Sequence, residues 1–600
     1  MLGNHAIARG AYEAGVNVAV GYPGTPSTEI LQFVRQYDDI YCEWSVNEKV
    51  AMDVAIGSSL GGARTIVVMK HAGLNVASDP FYPISFMGVN GGLVLICSDD
   101  VGATSSPTEQ DTRIYAKLFH IPMLEPSDSQ EAKDFVDLSF EISEKFDAPV
   151  FFRTTNGVSH SNGIVEFSQR VEERKEPFDK SSPKFRPQGG VHPTVMHQNA
   201  HDRLERLEAF ANETNLNRIE WGDKSVGIIT SGTPYQYLKE MIPEVSFLKL
   251  GLTYPLPEAL IRSFAEEVDD LYVFEELEPF LEEQIKAFGI PVKGQELRPA
   301  VGPLSLEILS ETLKDLLAKY GKTVPERPNP LPGMIMRFPT LCAGCPHLAI
   351  YYSIRHAQKK LKEKEIVIIG DIGCYSLGIA APHNMLSCAF AMGSGISAAH
   401  GFSHSLQDPS GKAVLAYIGD GTFLHAGMPA LLNSVYNKSN MTLVLADNRT
   451  TAMTGGQEHA GTGVTLHGDT HPPVRIPEIV RTLGPDDIYE VDSYDLKTTS
   501  QAVRSAIDYE GVSVIIATGP CRMFPEKIKL PVCKVDSDLC TGCEMCLGIY
   551  CPGIILSGEK TEKGKPKTAI DPFVCVGCSF CVQICPTNAI ISEEGGQNDR

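Results

Sequence analysis

The sequence predicts a multidomain α/β protein, with doubly wound parallel-sheet domains followed by a small cysteine-rich module. Three observations point there. Helix-like stretches alternate with short apolar strands bounded by Gly and Pro, the pattern of a parallel sheet. The 600 residues exceed what one core can use, and ~150 residues per domain suggests about four domains. From Cys540 to the C-terminus, eight of the sixteen cysteines stand in two matched runs.

In chain order, residues 1–164 place short apolar strands at 18–20, 65–69, 93–97 and 150–152 between helical segments, a first parallel α/β domain. Residues 165–222 turn charged and rich in Pro and Asn, which suits a connecting arm. Residues 223–320 repeat a smaller βαβ-like series with strands at 226–229, 247–250 and 271–274. A Pro-rich linker follows at 321–337. Residues 338–525 form a third α/β domain, with strands at 366–369, 413–418, 441–446 and 512–517. The cysteine module occupies 530–600.

Composition excludes several functions. The chain is 43% apolar, an ordinary globular value, and its net charge is −22 with no basic tail or stripe. Neither nucleic acid nor anionic lipid is expected as a partner. Arg9 and Glu13 interrupt what would have to be the apolar stretch of a signal peptide. No run approaches the ~18 apolar residues of a membrane span. A soluble, cytoplasmic protein is expected, and there thiols stay reduced, so metal explains the cysteines better than disulfides do.

The runs Cys540, Cys543, Cys546, Cys551-Pro552 and Cys575, Cys578, Cys581, Cys585-Pro586 have the spacing of a two-cluster ferredoxin, an α+β module with two 4Fe-4S clusters. In such modules the cysteine before proline serves the other cluster. Cys540, Cys543, Cys546 and Cys585 are thus assigned to one cluster, and Cys575, Cys578, Cys581 and Cys551 to the second. The first run has four residues before its last cysteine where three is usual, which widens one loop. Zinc sites are built from ligand pairs, not tandem thiolate triplets.

In the third domain the strand at 413–418 ends in Gly419-Asp420-Gly421, a helix is expected to begin near Phe423, and the next strand ends in Asp447-Asn448. Carboxyl ends of neighbouring parallel strands share one crevice, so Asp420 and Asn448 can meet. The Asp420 carboxylate, the Asn448 side-chain carbonyl and the Thr450 backbone carbonyl are hard oxygen donors for Mg2+. Glycines and a helix N-terminus there would admit phosphates. The combination looks like the thiamine diphosphate motif. That cofactor also needs a carboxylic group on its aminopyrimidine, for which Glu48 in WSVNEKVAMDVA is the candidate. Alone, Glu48 would read as a solvated helix-entry residue.

Cys342, Cys345, Cys374 and Cys521 open the third domain, follow its first strand and close its last. They suggest a third, proximal 4Fe-4S cluster, with Cys388 as another candidate for the fourth ligand. A zinc site on Cys342, Cys345 and His347, or plain buried thiols, are the competing readings. Cys42 and Cys97 read as core, and Cys533 is unassigned.

Nearly the whole chain resembles the 2-oxoacid:ferredoxin oxidoreductase family, in particular its indolepyruvate branch. The resemblance rests on GYPGTPSTEI at 21–30, NEKVAMDVA at 47–55, MKHAGLNVASDP at 69–80, CAGCPH at 342–347, GDGTFLHAG at 419–427 and ADNRTTAMTGGQ at 446–457. It implies two thiamine-diphosphate-binding domains, a transketolase-C-like α/β domain at 223–320 and a ferredoxin. It further implies oxidative decarboxylation of an arylpyruvate with coenzyme A (CoA), giving aryl-acetyl-CoA, CO2 and reduced ferredoxin in the amino-acid catabolism of anaerobes. Thr25 resembles the family's substrate-contacting threonine, and His71 and Arg113 are candidate carboxylate or keto contacts. Ordinary turn chemistry, a structural His and a solvated Arg are the plainer readings of the three. His5 stands where relatives carry an acidic residue. No segment matches the family's CoA-binding domain. In the indolepyruvate branch that domain lies on a smaller beta subunit, so a hetero-oligomer that hands electrons to an external ferredoxin is expected. Another 2-oxoacid such as pyruvate, a non-oxidative thiamine decarboxylase and a purely electron-transferring subunit are the alternatives.

Overall fold

The computed structural model describes residues 1–171, 177–180, 182–186, 190–323, 333–334, 339–361, 364–406, 411–524 and 530–592. The chain divides into two compact units, Met1–Pro332 and Gly333–Arg600. Most of the expected linker lies outside the described residues.

In the first unit the strands are β1 (Val18–Gly21), β2 (Tyr41–Trp44), β3 (Thr65–Lys70), β4 (Leu93–Asp99), β5 (Met123–Leu124), β6 (Val150–Thr155), β7 (Asn217–Glu220), β8 (Asp223–Ser231), β9 (Val245–Leu250), β10 (Leu252–Tyr254) and β11 (Asp270–Phe274). They form a seven-stranded sheet ordered β10-β5-β6-β4-β3-β1-β2 and a four-stranded sheet ordered β11-β8-β9-β7. β4 and β6 are buried along their whole length, as strands covered by helices on both faces must be, and this explains their unbroken apolar runs. β10, from the second α/β domain, joins the first sheet antiparallel to β5, with Leu252 opposite Leu124 and Tyr254 opposite Met123.

The stretch expected to be a connecting arm contains a 21-residue helix, Pro193–Glu213, and β7, the antiparallel edge of the second sheet. Its charge hid a narrow apolar stripe: Met196, Ala200, Leu207 and Ala211 fall on one helical face and are buried.

Arg113 is not the solvated residue of the plainer reading but is buried in an ion-pair network. Its side chain is 1% exposed and bonds to Asp111 Oδ2 and Glu275 Oε2, each at 2.6 Å. It also donates to the carbonyls of Glu276 and Glu278. A second buried arginine, Arg153, pairs with Asp99 and Glu125. Burial pushes the carboxyl of Asp99 up to about 6 and that of Glu276 up to about 7, both against the pull of Arg153. Asp111 precedes the helix Arg113–Phe119 of the first domain and Glu275 follows β11, so Arg113 ties the two α/β domains of this unit together.

The second unit contains β12 (Glu365–Gly370), β13 (Cys388–Ala389), β14 (Lys412–Gly419), β15 (Met441–Asp447), β16 (Asp487–Asp492) and β17 (Val512–Thr518). They make a parallel sheet ordered β13-β12-β14-β15-β17-β16. Helical winding begins at Asp420, three residues before the expected Phe423, and runs through a π-turn at Phe423–Gly427 to Tyr436. Two antiparallel pairs form the cysteine module: β18 (Cys533–Val535) with β21 (Ile590–Ser592), and β19 (Ile554–Lys560) with β20 (Pro566–Ile570). Among the described residues no helix is long and apolar enough to cross a membrane.

Replacing Arg113 with Met strands the Asp111 and Glu275 carboxylates in a dry interior. We expect Arg113→Met to cost about 3–5 kcal/mol, read as a lower urea midpoint for the full chain. An unchanged midpoint would mean that this network does not hold the unit together.

Candidate active site

β14 and β15 run parallel with Gly419 opposite Ala446, so Asp420 and Asn448 leave neighbouring strand ends side by side. Both are buried. Asp420 Oδ1 accepts from the Gly421 amide at 2.9 Å, and Oδ2 from the Arg449 amide at 2.7 Å. His459 Nε2 lies 3.2 Å from Oδ2. Burial works to raise the Asp420 pKa, but the hydrogen bond and charge of His459 outweigh it and the value is lowered. Asn448 Oδ1 accepts from the Thr450 amide at 3.2 Å. A side chain at Gly421 would come within 3.0 Å of Thr451 Oγ1.

The donor set fits a divalent cation. Burial, and then the charge of Asp420, pushes the Asp447 carboxyl up to about 6, while its Oδ1 has no hydrogen-bond partner among the described residues. Two adjoining buried carboxylates with an unsatisfied oxygen and two amide-type carbonyls make an oxygen cage suited to Mg2+.

Cys342, Cys345, Cys374 and Cys521 gather beside this crevice. The Cys521 amide donates to the Asn448 carbonyl at 2.9 Å. Burial, followed by the neighbouring Cys374, drives the Cys345 thiol well above its ordinary pKa, with smaller contributions from Cys342 and Cys521. Burial, then Cys521 and Cys342, pushes Cys374 up to about 12. Cys388 is raised by burial alone, with no contribution from the other thiols. The buried His347 turns its Nδ1 to the Tyr417 hydroxyl at 2.9 Å. Among the described residues it does not form, with Cys342 and Cys345, a group with ligand atoms within 4.8 Å of one another. Thiolates of a cubane each hold a separate iron and so stand farther apart than the ligands of a single zinc.

The cysteine module encloses two cavities. Cys551, Cys575, Cys578 and Cys581 line an empty space of about 350 Å³, partly open to solvent. Cys540, Cys543, Cys546 and Cys585 line another of about 310 Å³. Backbone amides point at the sulfurs: Gly577 to Cys575 Sγ at 3.4 Å and Ala589 to Cys585 Sγ at 3.2 Å. Cys533, unassigned by sequence, lines the first cavity as well. So does Gly344 of the Cys342–Cys345 loop. Its φ is +69°, and a Cβ there would lie 2.3 Å from Val576, so only glycine permits this approach.

In the first unit a separate group assembles at the carboxyl ends of β1 and β3, which pair in parallel. Glu48 is buried at the first position of the helix Glu48–Leu60, which Asn47 caps by accepting from the Val50 amide at 2.8 Å. A Cβ on Gly73 would come within 2.6 Å of Glu48 Cγ. His71 is fully buried. Its Nδ1 accepts from the Asp100 amide at 3.4 Å, and its Nε2 has no partner among the described residues. Burial, then the neighbouring Lys70, lowers its pKa to about 4, so the imidazole is neutral at physiological pH. Lys70, which sequence reasoning missed, donates to Ser106 Oγ at 2.6 Å. Burial lowers its pKa against the charges of Asp100 and Glu48. Its stem lies on Gly24, where a Cβ would meet Lys70 Cδ at 2.9 Å. The half-buried Thr25 follows in the same turn.

Three families match the chain: the thiamine pyrophosphate enzyme C-terminal TPP-binding domain over 371–517, the pyruvate flavodoxin/ferredoxin oxidoreductase thiamine-diphosphate-binding domain over 9–214, and the 4Fe-4S dicluster domain over 539–589. Indolepyruvate oxidoreductase subunit IorA of Methanothermobacter thermautotrophicus is 39% identical over 576 residues, covering 92% of each chain. The chain belongs to the IorA family. The IorA subunit of Pyrococcus horikoshii is 38% identical over 614 residues, covering 93% of this chain and 92% of its own. A solved 2-oxoglutarate:ferredoxin oxidoreductase from Magnetococcus marinus aligns with 53% of this chain and 65% of its own, at 17% identity and a TM-score of 0.43. As an IorA-family chain this protein is a 2-oxoacid:ferredoxin oxidoreductase that uses thiamine diphosphate and iron–sulfur clusters.

In this IorA-family chain His459 also escaped the sequence reading. It lies two residues beyond the ADNRTTAMTGGQ segment and reaches Asp420 only because the loop folds back, with the Thr451 amide bonded to the Gln457 carbonyl at 2.9 Å. A His in a glycine-rich stretch after Asp447-Asn448 was the available signal.

Asp371, just after β12, carries a pH signature. Its carboxylate accepts from the Tyr375 hydroxyl and from the Gly393 amide. Burial nevertheless raises its pKa from 3.8 to about 7. A raised folded-state pKa contributes stability that is present below the unfolded value of 3.8 and lost as pH climbs to about 7. We expect the melting temperature of Asp371→Asn, relative to the parent, to rise between about pH 5.5 and 7 and then level off. A pH-independent difference would count against a protonated Asp371.

Proposed function

We propose that this chain is the large subunit of an enzyme that oxidatively decarboxylates arylpyruvates, indolepyruvate among them, with CoA, yielding aryl-acetyl-CoA, CO2 and reduced ferredoxin. The observation that carries the oxidative reading is the set of thiols that starts at the crevice and continues into the cysteine module. The Cys521 amide bonds to the Asn448 carbonyl, Gly344 between Cys342 and Cys345 walls one cavity of the module, and the remaining four cysteines line its other cavity. A non-oxidative decarboxylase has no use for such a set. The names of the IorA relatives support the aryl substrate.

Asp420, Asn448 and the Thr450 carbonyl are the residues suited to hold Mg2+ and, through it, the diphosphate of thiamine diphosphate, with Gly419 and Gly421 leaving room for phosphate oxygens. Bound there, the cofactor supplies a carbanion-forming centre and an electron sink for loss of CO2. Glu48, buried at the start of its helix, is the carboxylic group we assign to proton exchange with an aminopyrimidine nitrogen. His71 is kept neutral by burial and offers Nε2 to a keto or carboxylate oxygen, with Lys70 as an adjacent cation. Thr25 offers a hydroxyl from its turn. Cys342, Cys345, Cys374 and Cys521 would hold a proximal 4Fe-4S cluster, and the two cavities one cluster each, with Cys551 and Cys585 crossing between the runs. A smaller partner subunit would bring the CoA site, and an external ferredoxin would take the electrons.

The test is anaerobic co-purification with the smaller subunit and CoA-dependent viologen reduction on indolepyruvate, phenylpyruvate and pyruvate. We expect arylpyruvate-selective reduction, lowered about 10²–10⁴-fold by Glu48→Ala, and by Asp420→Ala with loss of Mg2+-dependent cofactor retention. CO2 and aldehyde without reduction would favour the decarboxylase. Cys521→Ser should lose about a third of the iron, one cubane of three, and most viologen reduction. Unchanged iron would remove the proximal cluster from the reading.

A further inference from the structure

His120, His197 and His201 lie in the first unit, away from the Glu48 group in the sequence and unused by the proposed chemistry. Among the described residues they are the only His, Cys, Asp or Glu trio with ligand atoms all within 4.8 Å of one another. His197 and His201 are one turn apart on the helix Pro193–Glu213 and so share a face. His120 ends the helix Arg113–Phe119 in the left-handed conformation, φ 55°, which swings its ring toward them. The ring centroids are 5.4 Å apart for His120 and His197, 5.0 Å for His120 and His201, and 4.9 Å for His197 and His201.

We propose that this trio binds one divalent transition-metal ion of the zinc class, clipping the helix Pro193–Glu213 to the first α/β domain. Three details of the surroundings support it. The Nδ1 of His120 lies 3.2 Å from the Leu118 carbonyl. A carbonyl only accepts, so Nδ1 carries the proton and Nε2 keeps the lone pair that a metal needs. Behind the rings, Phe86 stands 5.4 Å from both His120 and His197, an apolar wall that keeps water off one side of the site. Arg203 donates to the backbone carbonyls of Ser85, Asp147 and His120, fixing the turn from which His120 projects.

Three neutral imidazoles and no carboxylate select zinc, cobalt, nickel or copper over magnesium or calcium. Zinc–nitrogen bonds of about 2.0–2.1 Å in a tetrahedron require nitrogens roughly 3.3 Å apart. The rings must therefore close by about 1.5 Å at most. His197 and His201 are exposed and His120 half-buried, so side-chain rotation can supply that closure. The same exposure leaves the fourth position to water. An ion bound to the folded chain alone raises its stability by mass action.

The experiment uses the full chain with its clusters intact, equilibrated anaerobically with Zn2+. It reads metal and iron per chain by mass spectrometry, ligand type by zinc K-edge absorption, and melting temperature. We expect one zinc per chain with an imidazole signature and a higher melting temperature. In His197→Ala and His201→Ala the zinc affinity should fall by more than about tenfold, with iron content and the zinc-free melting temperature unchanged. His356→Ala, outside the trio, should bind zinc like the parent. Three results would overturn the proposal: no retained zinc in a parent with full iron, a thiolate signature at the zinc edge, or equal zinc in His197→Ala.

Discussion

The crevice of the second unit depends on one constraint, the parallel register of β14, β15 and β17. Gly419 lies opposite Ala446, and Asp447 opposite Thr518. That alignment sets Asp420 beside Asn448 and brings Cys521, three residues past β17, onto the Asn448 carbonyl. A slip of one residue would turn every side chain to the other face of the sheet, parting the oxygen donors from each other and from the thiols. β15 is buried from end to end, so a slip would bury no less apolar surface yet misplace every polar group at its end. Chemistry and register are thus specified by the same residues.

Both candidate sites concentrate polar groups that the fold leaves in electrostatic debt. Asp447 Oδ1, His347 Nε2 and His71 Nε2 are buried without partners among the described residues, and each belongs to a residue at a strand end or a helix start. The buried cations Arg113, Arg153 and Lys249, by contrast, all meet carboxylates. Partnerless groups gathered among the chemistry-bearing residues of the two sites suit places prepared for something the chain itself does not contain.

The legible parts of the sequence were those whose chemistry is local. Cysteine triplets, Gly-Asp-Gly and Asp-Asn at strand ends, and alternating apolar strands announce themselves over a few residues, and the strands lie where the alternation put them. What could not be read depends on partners far along the chain. Arg113 looked solvated because Glu275, 162 residues away, is invisible locally. Lys70 sits at the end of an apolar strand, where a lysine reads as the start of a surface loop. The helix Pro193–Glu213 vanished into its own charge because four small or apolar residues sufficed to seat it. Cys533 carries no spacing signal at all, and only the closure of β18 on β21 brings it to a cavity wall.

The pairing of β10 with β5 bears on how the chain is made. The first sheet has its outer strand supplied from residues 252–254, about 130 residues after the strand it pairs with. Until that segment has emerged from the ribosome, β5 remains an open edge with unpaired amides and carbonyls, the kind of surface that other chains adopt as a template. The N-terminal domain is therefore not a module that matures alone during synthesis. Its protection against misassembly arrives only with the translation of its neighbour.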